Sequence, residues 1–152
     1  MPRILIVGYG NPLRGDDGLA WWVIEELSRE GLPDDVEVIV QHQLTPELAL
    51  SVSRAARVLF IDASRVGTPG NITSESVKAQ PLKSTFSHEF SPATILSLVE
   101  QLYGKCPEAT IISLCGENFD HGELLSPKVK AGLPRLMDLI REQIKSPSVL
   151  AR

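Results

Sequence analysis

Apolar residues along the chain fall in short runs separated by stretches with helical spacing. Ile4-Leu5-Ile6-Val7 and Val58-Leu59-Phe60-Ile61 are uninterrupted, the pattern of strands buried on both faces. Strands are predicted at residues 3–8, 36–41, 57–62, 72–77 and 109–115. A first helix over residues 17–29 turns Leu19, Ala20, Val23, Ile24 and Leu27 inward. Three more helices open on one signature, a hydroxyl N-cap followed by proline: Thr45-Pro46, Ser91-Pro92 and Ser126-Pro127. The helix from Pro92 places Ile95, Leu98, Val99 and Leu102 on one face and stops at Gly104. The last carries Val129, Leu133, Leu136, Met137, Ile140 and Ile144, with a kink or break expected near Gly132 because Pro134 lies inside it. Strands alternating with helices predict an α/β fold with a mostly parallel twisted sheet covered on both faces. No linker or repeat divides the chain, so residues 1–145 read as one domain and 146–152 as a frayed tail. Residues 78–91 form a long polar loop, a length often tied to function.

Composition narrows the functional classes. The 152 residues suffice for one core. The formal charge is −4 and basic residues form no run, which argues against nucleic acid as a partner. No segment approaches the ~18 apolar residues of a membrane span. The N-terminus enters a strand directly, without signal-peptide anatomy, and Cys106 and Cys115 form no CxxC. A cytoplasmic protein with reduced thiols is expected.

The chemistry concentrates in Gly8-Tyr9-Gly10-Asn11-Pro12-Leu13-Arg14-Gly15-Asp16-Asp17-Gly18, between the first strand and the first helix. Open α/β sheets bind ligands at this edge. A dinucleotide fingerprint needs glycine where Leu13 stands and an acid near Gln41, and Asp16 and Asp17 occupy the helix end that would attract phosphate. One aspartate reads as a helix cap, and a second adjacent one exceeds what a cap requires. Asp16 is assigned as the cap and Asp17 as the ligand. Asp62 follows a buried strand at the same edge, and His88 lies in the polar loop. Each has a plainer reading, as a cap and as a solvent-facing residue. Together they make an oxygen and nitrogen set suited to a divalent transition ion with open coordination positions. His-Glu-x-x-His and Gly-x-Ser-x-Gly are absent, and His42 and His121 read as structural or surface residues. Trp21 and Trp22 are adjacent, so one helix face cannot bury both. At least one should be partly exposed, beside a cleft between the first helix and the His88 loop.

On these motifs the chain resembles the hydrogenase maturation endopeptidases, which are nickel-dependent proteases. The resemblance rests on Gly8-x-Gly10-Asn11, Asp16-Asp17-Gly18, Asp62, His88 and the segment His121-Gly122-Glu123-Leu124-Leu125-Ser126-Pro127. It implies a three-layer α/β/α sandwich. It also implies removal of a C-terminal extension from the large-subunit precursor of a nickel–iron hydrogenase after nickel insertion. The metal-contacting and catalytic residues implied are Asp17, Asp62 and His88, with nickel supplied by the substrate; another divalent ion is allowed in isolation. The turn His42-Gln43-Leu44-Thr45-Pro46-Glu47-Leu48 departs from the commonest pattern and looks like the subgroup serving NAD(P)-linked bidirectional hydrogenases. Two alternatives stay open: a non-proteolytic metal-dependent binding protein or chaperone, and a conventional zinc hydrolase.

Overall fold

The computed structural model of the chain describes residues 2–80 and 90–146. Its strands are β1 (Ile4–Tyr9), β2 (Val36–Gln41), β3 (Arg57–Ser64), β4 (Ile72–Ser76) and β5 (Glu108–Cys115). They form one sheet in the order β2-β1-β3-β5-β4. The pairs β1–β2, β1–β3 and β3–β5 are parallel, and β4 closes one edge antiparallel to β5. Chain order runs from β1 outward to β2 and then back across to β3. The gap between the carboxyl ends of β1 and β3 is therefore the topological switch point of the sheet.

The helices are α1 (Leu19–Glu30), α2 (Leu48–Ser53), α3 (Pro92–Tyr103) and α4 (Pro127–Lys145), and a 3-10 turn over Gly15–Gly18 precedes α1. Successive side chains of a strand point to opposite faces. Ile4, Ile6, Leu59, Ile61, Ile112 and Leu114 pack with α1 and α4 on one side. Leu5, Val7, Val58, Phe60 and Ala109 pack with α2 and α3 on the other. The result is the expected α/β/α sandwich. All five α1 residues assigned to the core are buried. At the end of α4, the buried Arg57 guanidinium donates to the Gln143 and Ser146 carbonyls, a cation placed where the helix dipole is negative.

The structure revises four details. Thr45–Glu47 form a turn, with Leu48 and Ala49 N–H donating to the Thr45 and Pro46 carbonyls, so α2 begins at Leu48 rather than Pro46. The buried face of α3 carries Ile95, Leu96, Ser97 and Val99, while Leu102 is exposed. The Ser91 capping box and the left-handed Gly104 end are as expected. The α4 helix runs through Pro134 without a break. Its apolar stripe, from Val129 and Leu133 before the proline to Leu136, Met137, Ile140 and Ile144 after it, is buried throughout, and that packing outweighs one missing backbone hydrogen bond. Finally, β3 continues past Asp62 to Ser64, because Asp62, Ala63 and Ser64 keep register with β5.

Candidate functional site

Strand register builds the first half of the site. Asp62 of β3 is the partner of Ser113 of β5. The β1–β3 register, ending at Gly8–Ile61, brings Tyr9 beside Asp62. By parity all three share the α2/α3 face, one step beyond Val7, Phe60 and Ile111, where the apolar layer gives way to polar groups at the carboxyl edge. The Tyr9 hydroxyl donates to Asp62 Oδ2 at 2.7 Å, and the Ser113 hydroxyl donates to Asp62 Oδ1. Burial pushes the Tyr9 phenol far above its ordinary range; the Asp62 charge and hydrogen bond add to this, as does the Asp17 charge. Tyr9 is thus a fixed, protonated donor.

The turn after β1 builds the second half. Gly10 has φ +142, and a side-chain carbon there would stand 2.1 Å from the Asp17 carbonyl oxygen, so the turn closes only on glycine. The Asn11 N–H donates to Asp17 Oδ2 at 2.7 Å, and the Trp21 indole N–H donates to the Gly10 carbonyl at 2.8 Å. Asn11 Oδ1 in turn accepts the Leu13 N–H at 2.9 Å. Asp17 Oδ1 has no hydrogen-bond donor among the described residues.

Asp16 is not a helix cap. It is fully buried and accepts four hydrogen bonds from the other end of the chain: Glu117 N–H at 2.7 Å, Asn118 N–H at 2.9 Å, and Ser126 N–H and hydroxyl at 2.7 and 2.8 Å. Backbone bonds from Gly15 to Gly122 and from Gly122 to Leu13 run alongside. Burial alone would raise the Asp16 pKa. The donors at Asn118, Ser126 and Glu117 outweigh it and hold the carboxyl below its ordinary value. The same network consumes the Ser126 hydroxyl, which therefore makes no cap on α4. Asp16 is a latch between the 3-10 turn and the segment entering α4.

Asp17 and Asp62 open into one cavity of about 860 Å³ at the switch point, together with Tyr9, Asn11, Arg14 and His42. His88 lies outside the described residues, and among those described no three His, Cys, Asp or Glu side chains form a metal-holding group. His42, read from sequence as structural or surface, lines the cavity, its ring edge-on to Trp21 at 5.5 Å. His121 is exposed and lies off the cavity. Trp22 is 37% exposed and Trp21 half-buried, as their adjacency required. Tyr9 and Ser113 were missed as site residues; only the register of the strands reveals them. Both cysteines are free thiols, Cys106 exposed and Cys115 buried. No helix of the described residues is long and apolar enough to cross a membrane.

The fold and its carboxylate-lined switch point define a class of α/β protein that works at the carboxyl edge of its sheet. No family model matches the chain. A Methanocaldococcus jannaschii protein assigned to the hydrogenase maturation proteases is 28% identical over 148 residues, covering 93% of this chain and 96% of its own. The hydrogenase 2 maturation protease of Escherichia coli is 26% identical over 156 residues, covering 98% of this chain and 94% of its own. A nickel–iron hydrogenase maturation protease from Thermococcus kodakarensis superposes with a TM-score of 0.73 at 25% identity, over 95% of this chain and 93% of that one. By sequence and by structure the chain is similar to the hydrogenase maturation proteases.

Proposed function

We propose that the chain is an endopeptidase that removes the C-terminal extension of a nickel–iron hydrogenase large-subunit precursor after nickel has been inserted. The protease relatives named above support the reaction class. The observation that carries the site assignment is that Asp17 and Asp62, from two separate elements, face one cavity at the switch point. In this reading nickel belongs to the substrate. Asp17 offers Oδ1, and Asp62, held by one donor on each oxygen, retains a lone pair on each. Two carboxylates make an incomplete donor set for a transition ion, so His88 and the precursor's own ligands supply the rest. A metal ion beside the scissile bond polarises its carbonyl or acidifies a water. The Tyr9 and Ser113 hydroxyls keep Asp62 aimed into the cavity, and Asn11 does the same for Asp17.

An ion shared between enzyme and substrate provides binding energy only to a loaded precursor, and a difference in affinity becomes selectivity. The turn at His42–Leu48 supports an NAD(P)-linked bidirectional hydrogenase as the source of that precursor, in a cytoplasmic setting. The test is incubation with nickel-loaded large-subunit precursor, followed by intact-mass measurement. Loss of the C-terminal extension supports the assignment. An unchanged mass with active precursor and folded enzyme returns the chain to a binding or chaperone role.

A further inference from the structure

Four arginines, Arg3, Arg29, Arg57 and Arg141, lie against carboxylates. Arg14 and Arg65 are held differently. The Arg14 Nε–H donates to the Phe119 carbonyl at 3.3 Å, and the Arg65 guanidinium sits 3.9 Å from the centre of the Phe119 ring. One residue therefore braces both cations, through its backbone on one side and its ring on the other. Neither contact neutralises charge, and neither arginine forms an ion pair among the described residues. Anchoring Arg14 through Nε leaves its two terminal nitrogens available, and a ring against the face of Arg65 leaves the N–H groups at its edge available. Both arginines line the cavity that holds Asp17 and Asp62. In a chain of net charge −4, two unneutralised guanidinium groups pre-positioned at one cavity form a site for an anion.

We infer that Arg14 and Arg65 form a carboxylate subsite that grips the polypeptide entering the cavity. The inference rests on the reading of the chain as a processing endopeptidase. A planar fork matches a carboxylate through two parallel N–H···O bonds, which fixes orientation as well as position. The same guanidinium pair lies beside a site whose own carboxylates would repel an acidic segment, so it selects a substrate whose negative charge falls on the arginine side. The carboxylate is either an acidic side chain of the extension or its terminal α-carboxylate, and the chemistry of recognition is common to both.

Two measurements test this. The first needs no substrate. The side-chain Nε–H signals of Arg14 and Arg65, assigned by their loss in Arg14→Gln and Arg65→Gln, are followed by NMR during titration with acetate and, separately, with acetamide. Saturable movement of both signals with acetate, and none with acetamide, is expected. Movement no greater than that of the exposed Arg54 overturns the subsite, whatever the enzyme's reaction. The second measurement is steady-state cleavage of loaded precursor by the Arg14→Gln/Arg65→Gln double variant. KM should rise by about tenfold, with the loss carried by KM rather than kcat. Wild-type cleavage with an unchanged KM in the double variant overturns the subsite while leaving the endopeptidase reading intact. Failure of wild type to cleave sinks that reading, while the acetate titration still decides the anion site. Precursors with the acidic side chains of the extension changed to amides, or with the terminal carboxylate amidated, distinguish the two sources. The source is the change that abolishes the difference between wild type and double variant.

Discussion

The Tyr9 hydroxyl donates to Asp62 Oδ2 at 2.7 Å, so a half-buried phenol on β1 fixes a carboxylate on the neighbouring β3. Its pKa, raised by burial and by the adjacent charge, keeps it a donor at every working pH. Asp62 is thereby supported from both flanks, by Tyr9 and by Ser113 of β5.

Replacing Tyr9 with Phe keeps the ring packing and removes one donor from Asp62. A hydrogen bond to a charged acceptor is worth about 1.5–3 kcal/mol, so urea unfolding should show a loss in that range. Processing of loaded precursor should fall by roughly tenfold, because Asp62 gains freedom to turn from the cavity. Retention of wild-type kinetics would mean that Ser113 alone holds the carboxylate.

Asp16 is expected to matter to stability more than any other surface-distant polar group near the site. In Asp16→Asn the amide nitrogen must face N–H donors that the carboxylate accepts from Glu117, Asn118 and Ser126. A loss of about 2–4 kcal/mol is expected at pH 7. The pH dependence has a definite sign. The unfolded carboxyl titrates near its ordinary 3.8 and the folded one lower, so the stabilisation is complete above about pH 5. It is lost as pH falls from there through the lowered folded value. Urea unfolding at pH 7, 4 and 3 should show wild type losing stability across the acid range and Asp16→Asn losing less.

Two glycine substitutions separate backbone strain from damage to the site. Gly10 (φ +142) and Gly31 (φ +90) both occupy conformations that alanine resists. Thermal unfolding should show both alanine variants destabilised, Gly31→Ala by about 1–3 kcal/mol from backbone strain alone and Gly10→Ala by more. A side chain at 31 meets nothing within 4 Å, whereas one at 10 collides with the Asp17 backbone. Only Gly10→Ala should lose processing when both are assayed well below their melting temperatures. Equal activity of the two would detach the Gly10 turn from the site.

The sheet was legible because its central strands are buried on both faces and therefore continuous in apolar character, as Ile4-Leu5-Ile6-Val7 shows. Asp62 was legible as a site candidate because it follows directly on such a run, and Asp17 because it is the second of two adjacent acids in the turn between the first strand and the first helix. What one sequence cannot display is pairing across distance. Ser113 looks like an ordinary strand serine until β3–β5 register sets it opposite Asp62. Asp16 sits where a cap belongs, yet its partners lie 101 to 110 residues away. The same limit hid the bracing of Arg14 and Arg65 by Phe119. The inward face of α3 was misplaced because Leu96 and Leu102 are equally apolar, and only packing against β3 and α2 selects between them.

The central claim is that Asp17 and Asp62 read nickel carried by the precursor. The most direct measurement is parallel digestion of nickel-loaded and nickel-free precursor by wild type and Asp62→Asn, with C-terminal mass as the readout. Asn is nearly isosteric and still accepts the Ser113 hydroxyl, so the variant should fold, while losing the charge a divalent ion needs. Wild type is expected to process only the loaded precursor, and folded Asp62→Asn neither. Equal cleavage of loaded and nickel-free precursor, or wild-type rates in Asp62→Asn, would contradict the claim.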